Sequence, residues 1–168
     1  MEGRRRNRQI IVYAETKHPS WHRQRGMDFV NAIAQTLAAV GPLAPYAALW
    51  TQSFEWDVLD QLKRRLGLPA FALVGRDAAL NVDELSGRFD GVGIAKQRID
   101  PRTEQGLRTL AQLRAAKLQI HAWTFRYDLP GERWVDAEAE LGAYMALGLE
   151  GLFCDFPGRA RHLRDRLG

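Results

Sequence analysis

The stretch Ile10-Ile-Val-Tyr-Ala-Glu-Thr-Lys-His-Pro19 sets a carboxylate, an ammonium and an imidazole where an apolar, β-branched run meets a proline. Read as a strand, it places Tyr13, Glu15 and Lys17 on one face and Ala14 and Thr16 on the other. An acid and a cation delivered to one face near a strand's C-terminal end is how an α/β enzyme furnishes its active rim. An ordinary edge strand with a solvated Glu/Lys pair is the alternative for the same residues. Polar residues recur at the ends of later apolar runs: Gln52 and Ser53, Lys96, Trp123 and Arg126, and Asp155.

These residues need elements to position them, and the chain supplies a regular series. After the first strand comes a loop, His18 to Gly26. Met27 to Val40 then predicts an amphipathic helix with Met27, Val30, Ile33, Ala34, Leu37 and Val40 inward, stopped by Gly41-Pro42. Tyr46 to Gln52 reads as a strand and Asp57 to Leu66 as a helix with Val58, Leu59, Leu62 and Leu66 inward. Pro69 to Gly75 is a buried strand, followed by a polar segment, Arg76 to Arg88, with room for a short helix. Gly91 to Ala95 is the next strand; its glycines lack the third glycine and the helix start of a phosphate-binding fingerprint. Thr103 to Ala116 predicts a helix with Leu107, Leu110 and Leu113 inward. Leu118 to Phe125 (strand), Val135 to Leu147 (helix), Gly151 to Phe156 (strand) and a basic terminal helix complete the chain.

Strand and helix thus alternate through six units with short connections. Parallel neighbours need such crossovers, so a parallel sheet with outer helices is expected. An open doubly wound sheet and a β/α barrel both fit. The barrel is favoured because reactive residues sit at the C-terminal ends of nearly every strand, whereas an open sheet concentrates them at one switch point. A closed barrel takes eight strands and roughly 250 residues. At 168 residues, this sequence is two strands short.

Composition narrows the classes further. Hydrophobic content of 46% and charged content of 26% suit one globular domain. No apolar run approaches the ~20 residues a spanning helix needs. The basic start, Met1 to Arg8, is not followed by an apolar secretory core, so the chain as encoded is expected to stay in the cytoplasm. The single cysteine, Cys154, excludes an internal disulfide and a cysteine metal cage, and its apolar setting predicts a buried inert thiol. The net charge of +4 is concentrated at Arg4, Arg5, Arg6 and Arg8 and at Arg159, Arg161, Arg164 and Arg166. Neither cluster is interleaved with aromatics, so both are expected to be solvated ends rather than a nucleic-acid footprint.

Five segments, in order and in register, resemble the glycerophosphodiester phosphodiesterase family. They are Tyr13-Ala-Glu-Thr-Lys-His-Pro-Ser-Trp-His22, Gln52-Ser-Phe54, Asp90-Gly-Val-Gly-Ile94, His121-Ala-Trp-Thr-Phe125 and Gly151-Leu-Phe-Cys-Asp-Phe-Pro157. Lys-His-Pro-Ser-Trp-His and Asp-Phe-Pro resemble the longer bacterial form, whose complete members are often periplasmic. The resemblance implies a partial TIM-type β/α barrel at residues 10–168, holding the third to eighth strands and lacking the first two, after a basic extension at 1–9. It implies hydrolysis of a glycerophosphodiester to glycerol 3-phosphate and an alcohol, with a divalent cation, Ca²⁺ or Mg²⁺.

By the same resemblance Glu15 is one of three metal carboxylates and Lys17 the phosphate-side catalytic lysine. Trp123 packs against the glycerol moiety, with Phe54 and Asp155 also at the substrate. On their residues alone, Trp123 could equally fill a barrel rim and Asp155 could orient rim neighbours or cap a buried end. His121 reads as a core histidine, and His18 and His22 as residues shaping the loop. The family's His-Arg-Gly strand, Glu-x-Asp strand and His-Asp hairpin, which supply the acid, the base and two more carboxylates, are not found in this sequence. A hard cation needs several oxygens, so one carboxylate is not a cage. Loss of catalysis in this chain is therefore expected. A non-catalytic module that completes its barrel by self-association or with a separate N-terminal piece is the competing expectation, because open strand edges invite pairing.

Overall fold

Side chains visible in the sequence start three of the longer helices of this chain, and glycines end two of them. The computed structural model describes residues 10–41 and 47–168; the extension 1–9, the helix stop at Pro42 and the strand start at Tyr46 lie outside the described residues. The contacts divide the chain into two compact units.

Of the described residues, the first unit comprises 10–41 and 47–73 with Gly87–Asp90. It holds β1 (Ile10–Glu15), α1 (Pro19–Arg23), α2 (Phe29–Val40), β2 (Ala47–Ser53), α3 (Trp56–Leu66) and most of β3 (Ala70–Val74). Asp28 caps α2 by accepting from the N–H groups of Val30 at 2.8 Å and Asn31 at 3.3 Å, satisfying donors the first helical turn leaves orphaned. Gly67 ends α3 at φ 64°, a left-handed geometry that costs a glycine nothing. Strand β1 pairs parallel to β2, with Tyr13 opposite Trp50 and Glu15 opposite Gln52, and β2 pairs parallel to β3. The core of the unit is Val30, Val58, Leu59, Leu62 and β3, whose residues are all buried. Each large aliphatic there contributes about 1.5–3 kcal/mol by leaving water.

The second unit comprises Val74–Ser86 and Gly91–Gly168. It contains β4 (Gly91–Ala95), a 3₁₀ turn (Lys96–Ile99), α5 (Glu104–Ala115), β5 (Gln119–Phe125), α6 (Ala137–Met145), β6 (Gly151–Cys154) and α7 (Pro157–Leu167). The short helix α4 (Val82–Arg88) begins in it. Strands β4, β5 and β6 are parallel neighbours in that order, with Ala95 opposite Trp123 and His121 opposite Gly151. Thr103 caps α5 and Asp136 caps α6, accepting from Gly106 N–H at 3.0 Å and Ala139 N–H at 2.7 Å. Ile94, Ile99, Leu113, Ile120, Phe125, Leu141 and Tyr144 form its core.

One local device occurs in both units. Asp90, immediately before Gly91, accepts from the backbone N–H of Ala70 at 2.9 Å, and Glu150, immediately before Gly151, accepts from that of Ile120 at 2.8 Å. Each carboxylate stands in for a main-chain acceptor near the start of a strand, where an unpaired N–H would otherwise be costly. Asp90 also pairs with Lys63 at 3.1 Å.

The fold is the expected α/β class: six parallel strands in chain order with outer helices, a partial TIM-type barrel. Several details differ from the sequence reading. The loop after β1 contains the short helix α1. Met27 precedes the α2 cap and is 51% exposed, and Val40 in the last turn is 64% exposed. Leu107 is exposed because Gly106 occupies the inward slot of α5, tight against the backbone of Asp100, which turns the next residue outward. Cys154 is a free thiol but only half-buried, as all four residues of β6 are. In α7 the basic side chains find local partners: Arg161 and Arg164 lie on Asp165, and Arg166 on Glu138.

Candidate functional site

In the first unit the parallel register settles which side chains share a face. Tyr13, Trp50 and Phe71 lie on the same sheet face as Glu15 and Gln52, since paired residues point to one side. Trp50 stacks on Phe71 with ring centres 5.0 Å apart, and Tyr13 meets Phe71 edge-on at 5.1 Å. Tyr13 and Trp50 sit one step below Glu15 and Gln52 along the strands, and Phe71 is level with Gln52. Burial raises the Tyr13 phenol well above its usual range, so it stays a neutral packing group.

Beyond these aromatic rings, backbone contacts fix the end of β1. Thr16 N–H donates to Gln52 C=O at 2.9 Å, extending the ladder one residue beyond Glu15. Ser53 Oγ, fully buried, donates to Thr16 C=O at 2.8 Å, and Ser20 N–H donates to Glu55 Oε2 at 3.0 Å. Glu15 is half-buried at the last position of β1; Lys17 is exposed two residues on, beyond the strand end. Among the described residues no carboxylate lies within ion-pair distance of Lys17. Phe54, just past β2, is 53% exposed. Gln52 is 7% exposed and its Oε1 has no hydrogen-bond partner among the described residues, as is true of Thr16 Oγ1.

Of the two loop histidines, His18 is exposed and His22 is packed between aromatic rings. His18 has φ 49° and precedes α1. The ring of His22 lies between Trp21 and Phe29, at 4.8 and 5.1 Å. Among the described residues no group of three or more His, Cys, Asp and Glu side chains is placed to hold a metal. Among the described residues Glu15 is therefore a lone oxygen donor, where a hard cation takes several.

In the second unit, Trp123 is half-buried near the end of β5. Asp155 follows β6, exposed, with its N–H on Phe125 C=O at 3.1 Å and its carboxylate 3.6 Å from Arg126. Arg126 is held more closely by Asp128, at 2.6 Å, which lowers the carboxyl of Asp128 and raises the guanidinium through their hydrogen bond. Asp155 is thus a rim residue facing a cation, not a buried cap.

His121 is 4% exposed, and a Cβ on its register partner Gly151 would meet its ring at 2.7 Å. Desolvation lowers it to about 4, against a smaller opposing effect from Glu150. Because the folded ring binds its proton less readily than the unfolded one, its contribution to stability is complete above pH 6.5. It is lost as pH falls from 6.5 to about 4. The expected loss is about 3 kcal/mol at most over that window, and a His121→Gln variant should show a shallower decline in urea titrations across it.

Sequence reasoning did not single out Lys96 with Glu140. Lys96 Nζ sits 2.7 Å from Glu140 Oε1, with side chains 6% and 2% exposed, and Glu140 Oε2 accepts from Gly131 N–H at 3.1 Å. Tyr144 donates its hydroxyl to Lys96 C=O at 2.7 Å. The available signal was Glu140 itself, an acid on the inward stripe Ala137, Leu141, Tyr144 of its helix.

No family model matches the sequence, and no curated protein matches it. Solved structures do match the fold. One, from Silicibacter pomeroyi and assigned as a glycerophosphoryl diester phosphodiesterase, superposes with a TM-score of 0.66 at 16% identity over 95% of this chain and 51% of its own. A glycerophosphodiester phosphodiesterase from Parabacteroides distasonis gives 0.64 at 15% identity, over 99% and 62%. A phosphodiesterase from Oleispira antarctica, solved with the product sn-glycerol-3-phosphate, gives 0.60 at 17%, over 81% and 49%. This chain is a partial glycerophosphodiester phosphodiesterase-like fold, and it spans about half to three-fifths of the length of those structures.

Proposed function

We propose that this chain is the part of a glycerophosphodiester phosphodiesterase scaffold that contributes Glu15 and Lys17 to a phosphodiester site, and that it does not turn over substrate by itself. The observation that carries this reading is the placement of Glu15 at the end of β1 with Lys17, unneutralised among the described residues, just beyond it, in a fold shared with such enzymes. The ammonium is suited to a non-bridging phosphate oxygen, where charge builds during displacement. Hydrolysis also needs a base for the attacking water and an acid for the departing alkoxide. His22 is packed against Trp21 and Phe29 in the loop, and His121 is a buried neutral ring.

The expected result is no release of glycerol 3-phosphate from glycerophosphocholine by purified chain, with or without millimolar Ca²⁺ or Mg²⁺. Robust turnover that disappears in Lys17→Met would show that the chain is a complete catalyst and overturn the second half of the proposal.

A second reading, a non-catalytic assembly module, is favoured by one feature. Ile11 and Val12 of β1 are 42% and 54% exposed on opposite faces, although parallel strands are ordinarily covered on both. Light scattering on the eluting chain decides it: a monomer at all concentrations argues against self-association.

A further inference from the structure

The second unit carries a cleft of about 710 Å³, walled by the segments after β3, β4 and β5 and by the first turn of α5. Its lining holds five guanidinium groups, one ammonium and the carboxylates of Asp77, Asp100, Glu132 and Glu140, and following each cation to its partner separates the cations into two sets. Lys96 is neutralised by Glu140, Arg102 by Asp100 at 2.7 Å, and Arg126 by Asp128. Arg76, Arg98 and Arg133 make no ion pair among the described residues, although Arg133 is near enough to Asp100 to help lower its carboxyl.

Arg98 is the informative member. Its Nη1 donates to the carbonyls of Arg76 at 3.2 Å and Ala78 at 2.5 Å, with Gly75 C=O at 3.5 Å. Carbonyls fix the guanidinium but leave its charge in place, and the fork formed by Nε and Nη2 remains for another acceptor. A half-buried, immobilised guanidinium without a counter-carboxylate is preorganised for an oxyanion. Arg102 adds rigidity to the opposite wall. Its guanidinium lies 3.8 Å over the ring of Trp134, and it donates to Arg133 C=O at 2.5 Å, which places the backbone of Arg133 beside the cleft. Thr103, Gln105 and Gly106, from the N-terminal end of the twelve-residue α5, also line the cleft, where the helix dipole favours a negative ligand.

We infer that this cleft binds a small phosphate-bearing anion through Arg98, Arg76 and Arg133. Planar guanidinium forks match the oxygens of a phosphomonoester, whether free phosphate or the phosphate of a small organic ester. The inference does not depend on chemistry at Glu15 and Lys17.

Calorimetric titration of the whole chain with inorganic phosphate, sn-glycerol 3-phosphate and, as a neutral control, glycerol tests it. Both phosphates should bind and glycerol should not. Arg76→Gln/Arg133→Gln, which removes no ion pair, should weaken phosphate binding by about tenfold or more while leaving the melting temperature unchanged. Arg98→Lys, which keeps the charge and loses the fork, should weaken it as well. Lys17→Met, which removes the ammonium at the end of β1, should retain phosphate binding. Three results would overturn the inference: neither phosphate binding at tens of millimolar, wild-type affinity in the double variant, or loss of binding in Lys17→Met, which would put the anion at the end of β1.

Discussion

Replacing Lys96 with methionine is expected to destabilise the protein by about 3–5 kcal/mol, because it strands a buried carboxylate. Glu140 is 2% exposed, and without the ammonium its only remaining donor among the described residues is the N–H of Gly131. The pair is also a junction. Lys96 follows β4 directly, its carbonyl accepts from Tyr144, and Gly131 belongs to the loop leading to α6. Loss of the cation therefore loosens the end of a strand, a loop and a helix together. The companion variant, Lys96→Met with Glu140→Leu, should recover most of the loss, since apolar residues of similar volume replace buried ion pairs with little penalty. Urea unfolding of wild type, the single variant and the double variant measures both effects. A Lys96→Met protein within about 1 kcal/mol of wild type would mean the pair behaves like a solvated one.

The second large effect is expected from Gly106→Ala, with a sign opposite to helix propensity. Alanine is favoured over glycine inside a helix by about 1 kcal/mol. Here the added carbon would lie 2.6 Å from Asp100 N and 2.8 Å from Thr103 Oγ1, and closer still to Asp100 C=O. Two of these are backbone atoms of the turn that carries the Asp100–Arg102 ion pair, so the helix and the turn must part. A net destabilisation of about 1–3 kcal/mol follows, with the propensity gain already subtracted. Gly158→Ala in α7 supplies the contrast, since nothing lies within 4 Å of its Cβ position. That variant should be neutral or slightly stabilising. Denaturation midpoints of the two, side by side, separate steric contact from helix preference.

The strands were legible because parallel strands covered on both faces are short unbroken apolar runs. Gly91–Ala95 is read to the residue, and Ala70–Val74 to within one at each end. Helix starts were legible wherever a side chain caps them, as at Thr103. What misled was a count of apolar spacing that took leucine as a better inward residue than glycine. Leu107 keeps the three-residue step but faces solvent, because the partner of α5 at that level is a backbone turn that only glycine can approach. Of the candidate site, Glu15 was legible because it ends a β-branched run. Glu140 was not, since its partner lies 44 positions away and no local pattern announces a buried ion pair. The rim cations were visible as residue types, but which of them are neutralised is a matter of three-dimensional neighbours.

Parallel strands have no hairpin to fix their stagger, and a slip of one residue turns every side chain to the wrong face. The carboxylate of Glu150 answers that need where β6 begins. It grips the amide of Ile120 in the neighbouring strand, so it acts as a zero mark from which the alignment of β5 and β6 is counted.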